Sequence, residues 1–498
     1  MTDRPIAVAH HNRSPDQSVR LVIAATVLLV YAAIMIDRRE NTLGEGDLFW
    51  HIKTGLWMLQ HRAVPSTDMY SYTFAGHPWM AKEWLSQLIY AAIFQLGGWN
   101  AVVTAAVVSV GAAAALLYWS LSASLRPPLA GSIALAALLA TSITFTIRPH
   151  LLTLPLLVIW THFLFKWSST ARAPSFLLLP VIVVWANLHA AFTMGFVIAF
   201  FAFLDFLENG GWAKKKALWT WLAFLALCPA VTLLHPYSYR AMMATLWVFR
   251  PSEGTLMVLE WMPFNAQEDI IHAALIFGSI FAALASGFRL GWARAFFVTF
   301  LCYQYMAHVR YAFFFFPVLA LVTAPAIARQ FHRLSAEYWR SERREGLERR
   351  MHDAFRPIMT GLCGAIAVLL GLQLWVLKSA PPEKVSVNTA IAYAKSFGLS
   401  GHVFNHYNLG GSLIFHDIPT FIDGRSDQLF VGEISKAFEA SEKDEKSLVD
   451  VLQKYDMRWT LFPPADPRTK MLDKLPGWTR VFADKNAVIH QRTDMPRE

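Results

Sequence analysis

Charge is what this sequence has least of. Asp, Glu, Lys and Arg make up only 16% of its 498 residues, against 55% hydrophobic ones, too little charge to cover a water-facing surface. A soluble globular chain is excluded, and the bilayer becomes the solvent. Cysteine is scarce as well. Cys228, Cys302 and Cys363 all sit inside apolar runs without metal-ligand spacing, and they read as packing residues. The sequence shows neither an internal repeat of the kind carried by inverted-topology transporters nor a low-complexity tract. No small-residue cleavage site follows the first apolar run, LVIAATVLLVYAAIMI, so that run is expected to stay as an uncleaved first span.

What the sequence does have is a succession of apolar runs. Lipid offers backbone groups no partner, so each crossing must be a helix of roughly 20 residues. The runs predict a mainly α polytopic protein with spans near 19–36, 101–121, 129–147, 151–165, 175–189, 191–207, 217–234, 270–287, 295–310, 311–328 and 357–377, about eleven in all. Those at 151–165 and 175–189 are short, which calls for tilt, local thinning or broken helices.

The net charge of +9 would suggest a nucleic-acid partner in a soluble protein. Here the basic residues fall in short loops between apolar runs, which is a topological pattern. With the amino terminus inside, as Arg4, Arg13 and Arg20 favour, alternation also places Arg126, Lys166, Arg172, Lys214 to Lys216, Arg289 and Arg294 inside. The eight arginines from Arg329 to Arg356 fall on the same side. Acidic residues interleave with them, so they suit a cytoplasmic loop touching anionic lipid and not a nucleic-acid arm. The scheme requires KEWLSQLIYAAIFQLGGW, near 82–98, to lie at the outer interface instead of crossing. The expected location is the bacterial inner membrane, with a cytoplasmic amino terminus and a periplasmic carboxy-terminal domain.

That domain is expected from 378 to 498, after a transmembrane domain over 1–377 whose long first outer loop covers 37–100. HVFNHY, SLIFH and PTFIDG read as short strands, EISKAFEASEKDEKSLVDVLQKY as an amphipathic helix, and RWTLFPP and TRVFADKNAVIHQ as further strands, the latter a hairpin. The prediction is an α/β domain.

Loops as long as the first outer one usually have a task. In it Asp47 is followed by LFWH, whose His51 and aromatic pair can hold the acid against the membrane surface, where a carboxylate can act as general base. The plainer alternative is that Asp47 caps the helix beginning there. Polar residues recur at the outer ends of the runs: Arg148 and His150, Asn187 and His189, His235, Tyr237 and Arg240, Glu260, then His308 and Arg310. Singly, each is an interfacial anchor. Five clusters on one side can line a cavity whose cations hold an anionic phosphate leaving group. Glu45 and Asp47 form an E-x-D pair able to bind a divalent cation such as Mg²⁺ or Mn²⁺. The RPHLLT segment offers His150 where an opposing acid would be wanted, and no other cofactor is required. For FIDGRSD, a structural ion pair beside an Asp-Gly turn is favoured over acceptor contact.

GDLFWH directly after the first span, then IRPH, WANLH, HPYSYR and HVRY, and an outer domain with NLGGSLIF and FIDGRSD resemble the GT-C superfamily of polytopic glycosyltransferases. The similarity is greatest to the bacterial branch that holds lipid A sugar transferases and protein mannosyltransferase relatives. It implies a polyprenyl-phosphate sugar donor and an inverting transfer. The family's catalytic acid maps to Asp47, with Glu45 second; it deprotonates or orients the acceptor. Arg310, Arg148, Arg240 and His308 are the cations expected at the donor phosphate. His51, Glu83, His150, Asn187, His189, His235, Tyr237 and Glu260 complete the expected substrate contacts. The sequence departs from the oligosaccharyltransferase pattern by lacking a D-x-D in the second outer loop, which points away from an amide acceptor and toward a hydroxyl on lipid, glycan or protein. Two rivals stand beside this reading. A flippase for lipid-linked sugar would show paired repeats and charges at the membrane midplane. A non-catalytic assembly factor for envelope polysaccharide would keep the fold without the chemistry.

Overall fold

The computed structural model describes residues 15–247, 262–342 and 347–493. Every apolar run picked out above falls on a helix. The principal ones are α1 (Pro15–Asp37), α2 (Asp47–His61), α3 (Trp84–Ser122), α4 (Pro127–Thr141), α5 (Leu154–Ser168), α6 (Leu179–Leu188), α7 (Thr193–Glu208), α8 (Lys215–Val231), α9 (Ile270–Ser286), α10 (Trp292–Ala307), α11 (Ala312–Gln330) and α12 (Leu347–Val376). Among the described residues five helical stretches are long and apolar enough to cross a membrane: Arg20–Asp37, Trp84–Ser122, Pro149–Ser168, Ala190–Glu208 and Val309–Gln330. Four shorter apolar helices accompany them. The protein is a multi-pass membrane protein.

Helix α3 changes direction at Gly97 and Gly98, the latter at φ 59° and ψ −147°, a conformation that a side chain would forbid. Residues 84–96 thus form a separate arm that lies along α2, while the remainder packs on α1 and α4. One buried charge pair braces the helical bundle. Asp205 of α7 receives Nε and Nη2 of Arg294 of α10 at 2.8 and 2.9 Å, and Ser168 Oγ donates to it at 2.5 Å. Full pairing makes such burial tolerable.

The carboxy-terminal region carries a four-stranded sheet of β1 (His402–Asn405), β2 (Met457–Phe462), β3 (Trp478–Ala483) and β4 (Val488–Arg492), in the order β1-β2-β4-β3. β1 and β2 are parallel, and the other pairs are antiparallel with Thr460 opposite His490. The hairpin over TRVFADKNAVIHQ forms as expected. SLIFH does not become a strand: Gly410–Phe415 is a helix. Its Gly411 meets α2 so closely that a Cβ there would lie 2.0 Å from the Gly46 carbonyl. PTFIDG is no strand either; Thr420 makes a single bridge to Ser71 of the first loop. The long amphipathic segment divides into Glu433–Lys443 and Glu445–Lys454 because Asp444 turns extended and caps the second helix through the Ser447 N–H.

The long loop after α1 and the carboxy-terminal region share one core. Trp50, Trp79 and Ala81 pack with Phe404, Phe421 and Phe430. Arg425 fastens this junction, pairing with Asp68 of the loop at 2.5 Å and Asp423 at 2.7 Å beneath the rings of Tyr70 and Trp79.

Candidate active site

A cavity of about 890 Å³ opens where α2, the arm of α3, the helix ends and the carboxy-terminal region converge. Its lining combines charged side chains, Glu45, Asp47, Lys82, Glu83, Arg148 and Arg310, with apolar ones, Met194, Val197, Met242, Phe300, Phe313 and Phe314. Asp47 is the first residue of α2, but it is not the cap, a place taken by Gly46. Its Oδ1 accepts the Trp50 indole N–H at 3.0 Å, and its Oδ2 lies 3.2 Å from Arg148 Nη2. The same nitrogen stands 2.7 Å from Glu45 Oε1. Gly424 allows this crowding, since a Cβ there would fall 1.7 Å from Asp47 Oδ1.

Glu83 is a second carboxyl of different character. Burial pushes its carboxyl up to about 7, against the opposing pull of Lys82 and Arg148. Two imidazoles face it. Gln87 donates its amide N–H to His51 Nδ1 at 3.2 Å, and the Ala191 N–H donates to His189 Nδ1 at 3.2 Å. Each ring therefore carries its proton on Nε2, aimed at Glu83 at 3.7 Å from His51 and 3.3 Å from His189. Burial holds both rings well below the usual imidazole range, so they act as neutral donors. For Lys82, burial alone would push the ammonium down. Asp427, which pairs with it, and Glu83 outweigh that effect and carry it above its ordinary value.

No protein-family model matches the sequence, and no curated protein matches it. Solved structures do. The oligosaccharyltransferase of Archaeoglobus fulgidus in its apo form is 12% identical with a TM-score of 0.53, over 88% of this chain and 69% of that one. The AglB oligosaccharyltransferase of the same organism, in complex with an inhibitory peptide and a dolichol-phosphate, is 13% identical with a TM-score of 0.52 over the same shares. ArnT of Cupriavidus metallidurans bound to undecaprenyl phosphate is 12% identical with a TM-score of 0.49, over 93% of this chain and 97% of that one. The chain has a GT-C fold.

Within this GT-C fold the sequence-derived residues fall into three groups. Glu45, Asp47, His51, Glu83, Arg148, His150, His189 and Arg310 come together around the cavity. Asn187, His235 and Tyr237 do not line it; they hold the 81–84 segment from behind. Asn187 Oδ1 accepts the Trp84 indole N–H at 2.7 Å, His235 Nε2 donates to the Lys82 carbonyl at 3.1 Å, and the Tyr237 oxygen accepts the Ala81 N–H at 2.9 Å. Arg240 is exposed, and neither it nor His308 lines the cavity. Glu260 lies outside the described residues. His150 is turned from the acids toward the Thr144 carbonyl and the Phe313 ring.

Sequence reasoning missed Lys82, Gln87, Tyr407 and Asp427, all of which line the cavity. Lys82 had a visible signal, a cation directly beside Glu83. Asp427 ends the FIDGRSD segment, but only the fold brings it to Lys82. Both acids of the E-x-D pair face one guanidinium, since Arg148 Nη2 lies between Glu45 Oε1 and Asp47 Oδ2.

Proposed function

We propose that the protein transfers a sugar from a polyprenyl-phosphate-type donor to a hydroxyl acceptor on the extracytoplasmic face of the membrane, with inversion at the anomeric carbon. The observation that carries this reading is the mixed lining of one cavity, in which carboxylates and cations stand together with a set of apolar side chains. Such a site suits an amphipathic substrate, with the phosphate among the cations and the isoprenoid along the apolar side chains. The dolichol-phosphate bound by the archaeal oligosaccharyltransferase AglB is a ligand of that kind, and the shared fold supports the same donor class here.

In the reaction the acceptor oxygen forms a bond to the anomeric carbon as the bond to the phosphate oxygen breaks. Asp47 takes the acceptor's proton. Trp50 and Arg148 engage its two oxygens and hold its orientation. Lys82 and Arg310 face the cavity and neutralise the departing lipid phosphate. Arg240 and His308 do not line the cavity, and Arg148 is engaged by Glu45 and Asp47.

A second assignment of the base, to Glu83, is favoured by its carboxyl near 7, the range best matched to proton transfer at neutral pH. The experiment that separates the two uses protein reconstituted with a radiolabelled polyprenyl-phosphate sugar and membrane acceptor lipids. Asp47→Asn is expected to lose transfer by about 10²–10⁴-fold while Glu83→Gln keeps a measurable rate. The reverse ranking would move the base to Glu83, and full activity in both variants would remove the reading altogether.

A further inference from the structure

Glu45 and Asp47 present their carboxylates to one guanidinium, and the backbone around that guanidinium is fixed from two sides. The Ile147 N–H donates to the Thr42 carbonyl at 2.9 Å, which ties the segment to the start of the loop carrying the acids. The Tyr90 hydroxyl donates to the Arg148 carbonyl at 3.0 Å, which ties it to the arm of α3. Nη2 then reaches Glu45 Oε1 at 2.7 Å and Asp47 Oδ2 at 3.2 Å. The second oxygen of Asp47 is engaged by Trp50 and crowded by Gly424. A divalent ion would need these same oxygens at roughly 2.0–2.6 Å, in the space the guanidinium fills. An arginine in a protein cannot shed its proton, so the positive charge there is permanent.

We infer that Arg148 is the resident cation of this site. It bridges Glu45 and Asp47 where a divalent ion would otherwise sit, holds the Asp47 carboxylate in one orientation, and makes the site independent of divalent metal. Arg148 is thus a positioning residue that acts through Asp47. Only the catalytic consequence rests on the reading of Asp47 as base; the cation-binding consequence stands on the geometry alone. A corollary is that the acids are suitable ligands once the guanidinium is gone, since two carboxylates at E-x-D spacing are hard oxygen donors.

The test titrates Mn²⁺ into the full-length, chelator-treated protein in detergent and follows the free ion by electron paramagnetic resonance. Wild type is expected to bind no stoichiometric Mn²⁺, Arg148→Ala to gain one site, and the double variant Arg148→Ala with Glu45→Gln to lose it again. Arg148→Lys keeps a cation in place and controls for folding: it should melt near wild type and bind no Mn²⁺. Stoichiometric binding by wild type that disappears in Glu45→Gln would overturn the inference. So would an Arg148→Ala protein that melts cooperatively yet gains no site. If Arg148→Ala does not fold, Arg148→Gln takes its place under the same criterion. A transfer assay then measures the catalytic side, with wild-type activity expected to survive chelator. Failure of Asp47→Asn to reduce transfer would sink the assignment of the base and leave the Mn²⁺ result standing.

Discussion

At Glu83, burial and neighbouring charge pull in opposite directions, and burial wins: the carboxyl rises from an ordinary 4.5 to about 7 despite Lys82 and Arg148. The sign of the consequence follows. A group whose value is raised by folding stabilises the folded state fully below its unfolded value and loses that contribution as pH climbs through its folded value. Folded protein should therefore lose stability between about pH 4.5 and about pH 7, by something on the order of 3 kcal/mol from this side chain. Glu83→Gln, which carries no titrating proton, is expected to flatten that part of the curve. Melting temperatures of both proteins in detergent across the window check it, and equal slopes would show that Glu83 does not titrate there. Burial first, with Arg148 and Lys82 beside His51 and with His150, Arg310 and Lys82 beside His189, holds both rings well below the usual imidazole range.

Among the elements, α2 and the arm of α3 matter most, because one carries Asp47 and His51 and the other begins just after Glu83. They cross at Gly55, where a Cβ would lie 2.0 Å from the Gln87 carbonyl and 2.6 Å from the Ala91 methyl. Gln87 is also the residue that fixes the His51 ring. Gly55→Val is therefore expected to cost about 1–3 kcal/mol by overpacking and to lower transfer as well, since the displaced Gln87 releases His51. Melting and activity should fall together, and a variant with normal melting and normal activity would show that the crossing relaxes freely. Gly424 belongs to the same logic from the opposite wall. Gly424→Ala forces a methyl onto Asp47 Oδ1 and should reduce activity more than stability.

Over the whole molecule, the membrane helices and the carboxy-terminal region meet at the long loop after α1. Arg425 is the fastening. It is 1% exposed and pairs with Asp68 on the loop and Asp423 beside it. Arg425→Ala leaves two buried carboxylates without their cation and is expected to cost about 3–5 kcal/mol. Because Arg425 and its neighbours Gly424 and Ser426 also line the cavity, transfer should be lost in step with the loosened junction. Limited proteolysis is the direct check: the variant should be cut within the long loop after α1 under conditions that leave wild type whole. Sidedness belongs to this scale too. If the basic loops face inward, a protease added outside intact inverted vesicles should cut at the arginine-rich segment after Gln330 and spare the carboxy-terminal region.

A multi-pass helical membrane protein was legible in the apolar runs, because they have the length to cross as helices and a helix satisfies its backbone polar groups within itself. The sequence also made much of the site visible: Asp47, Glu83, Arg148, His189 and Arg310 are unusual residues at helix ends, and they do meet. Roles within the cavity were not legible, because they depend on distances between residues far apart in the chain. His235 and Tyr237 look like Arg148 in a sequence, yet they stand behind the wall and hold Lys82 and Ala81. Local pattern also misassigned SLIF, where the approach of Gly411 to the Gly46 carbonyl favours a helix. Folding was needed to bring Arg148 across both acids of the E-x-D pair and to bury Glu83 enough to hold its proton near neutrality. Both follow from electrostatics over a few ångströms, and those distances are set by packing.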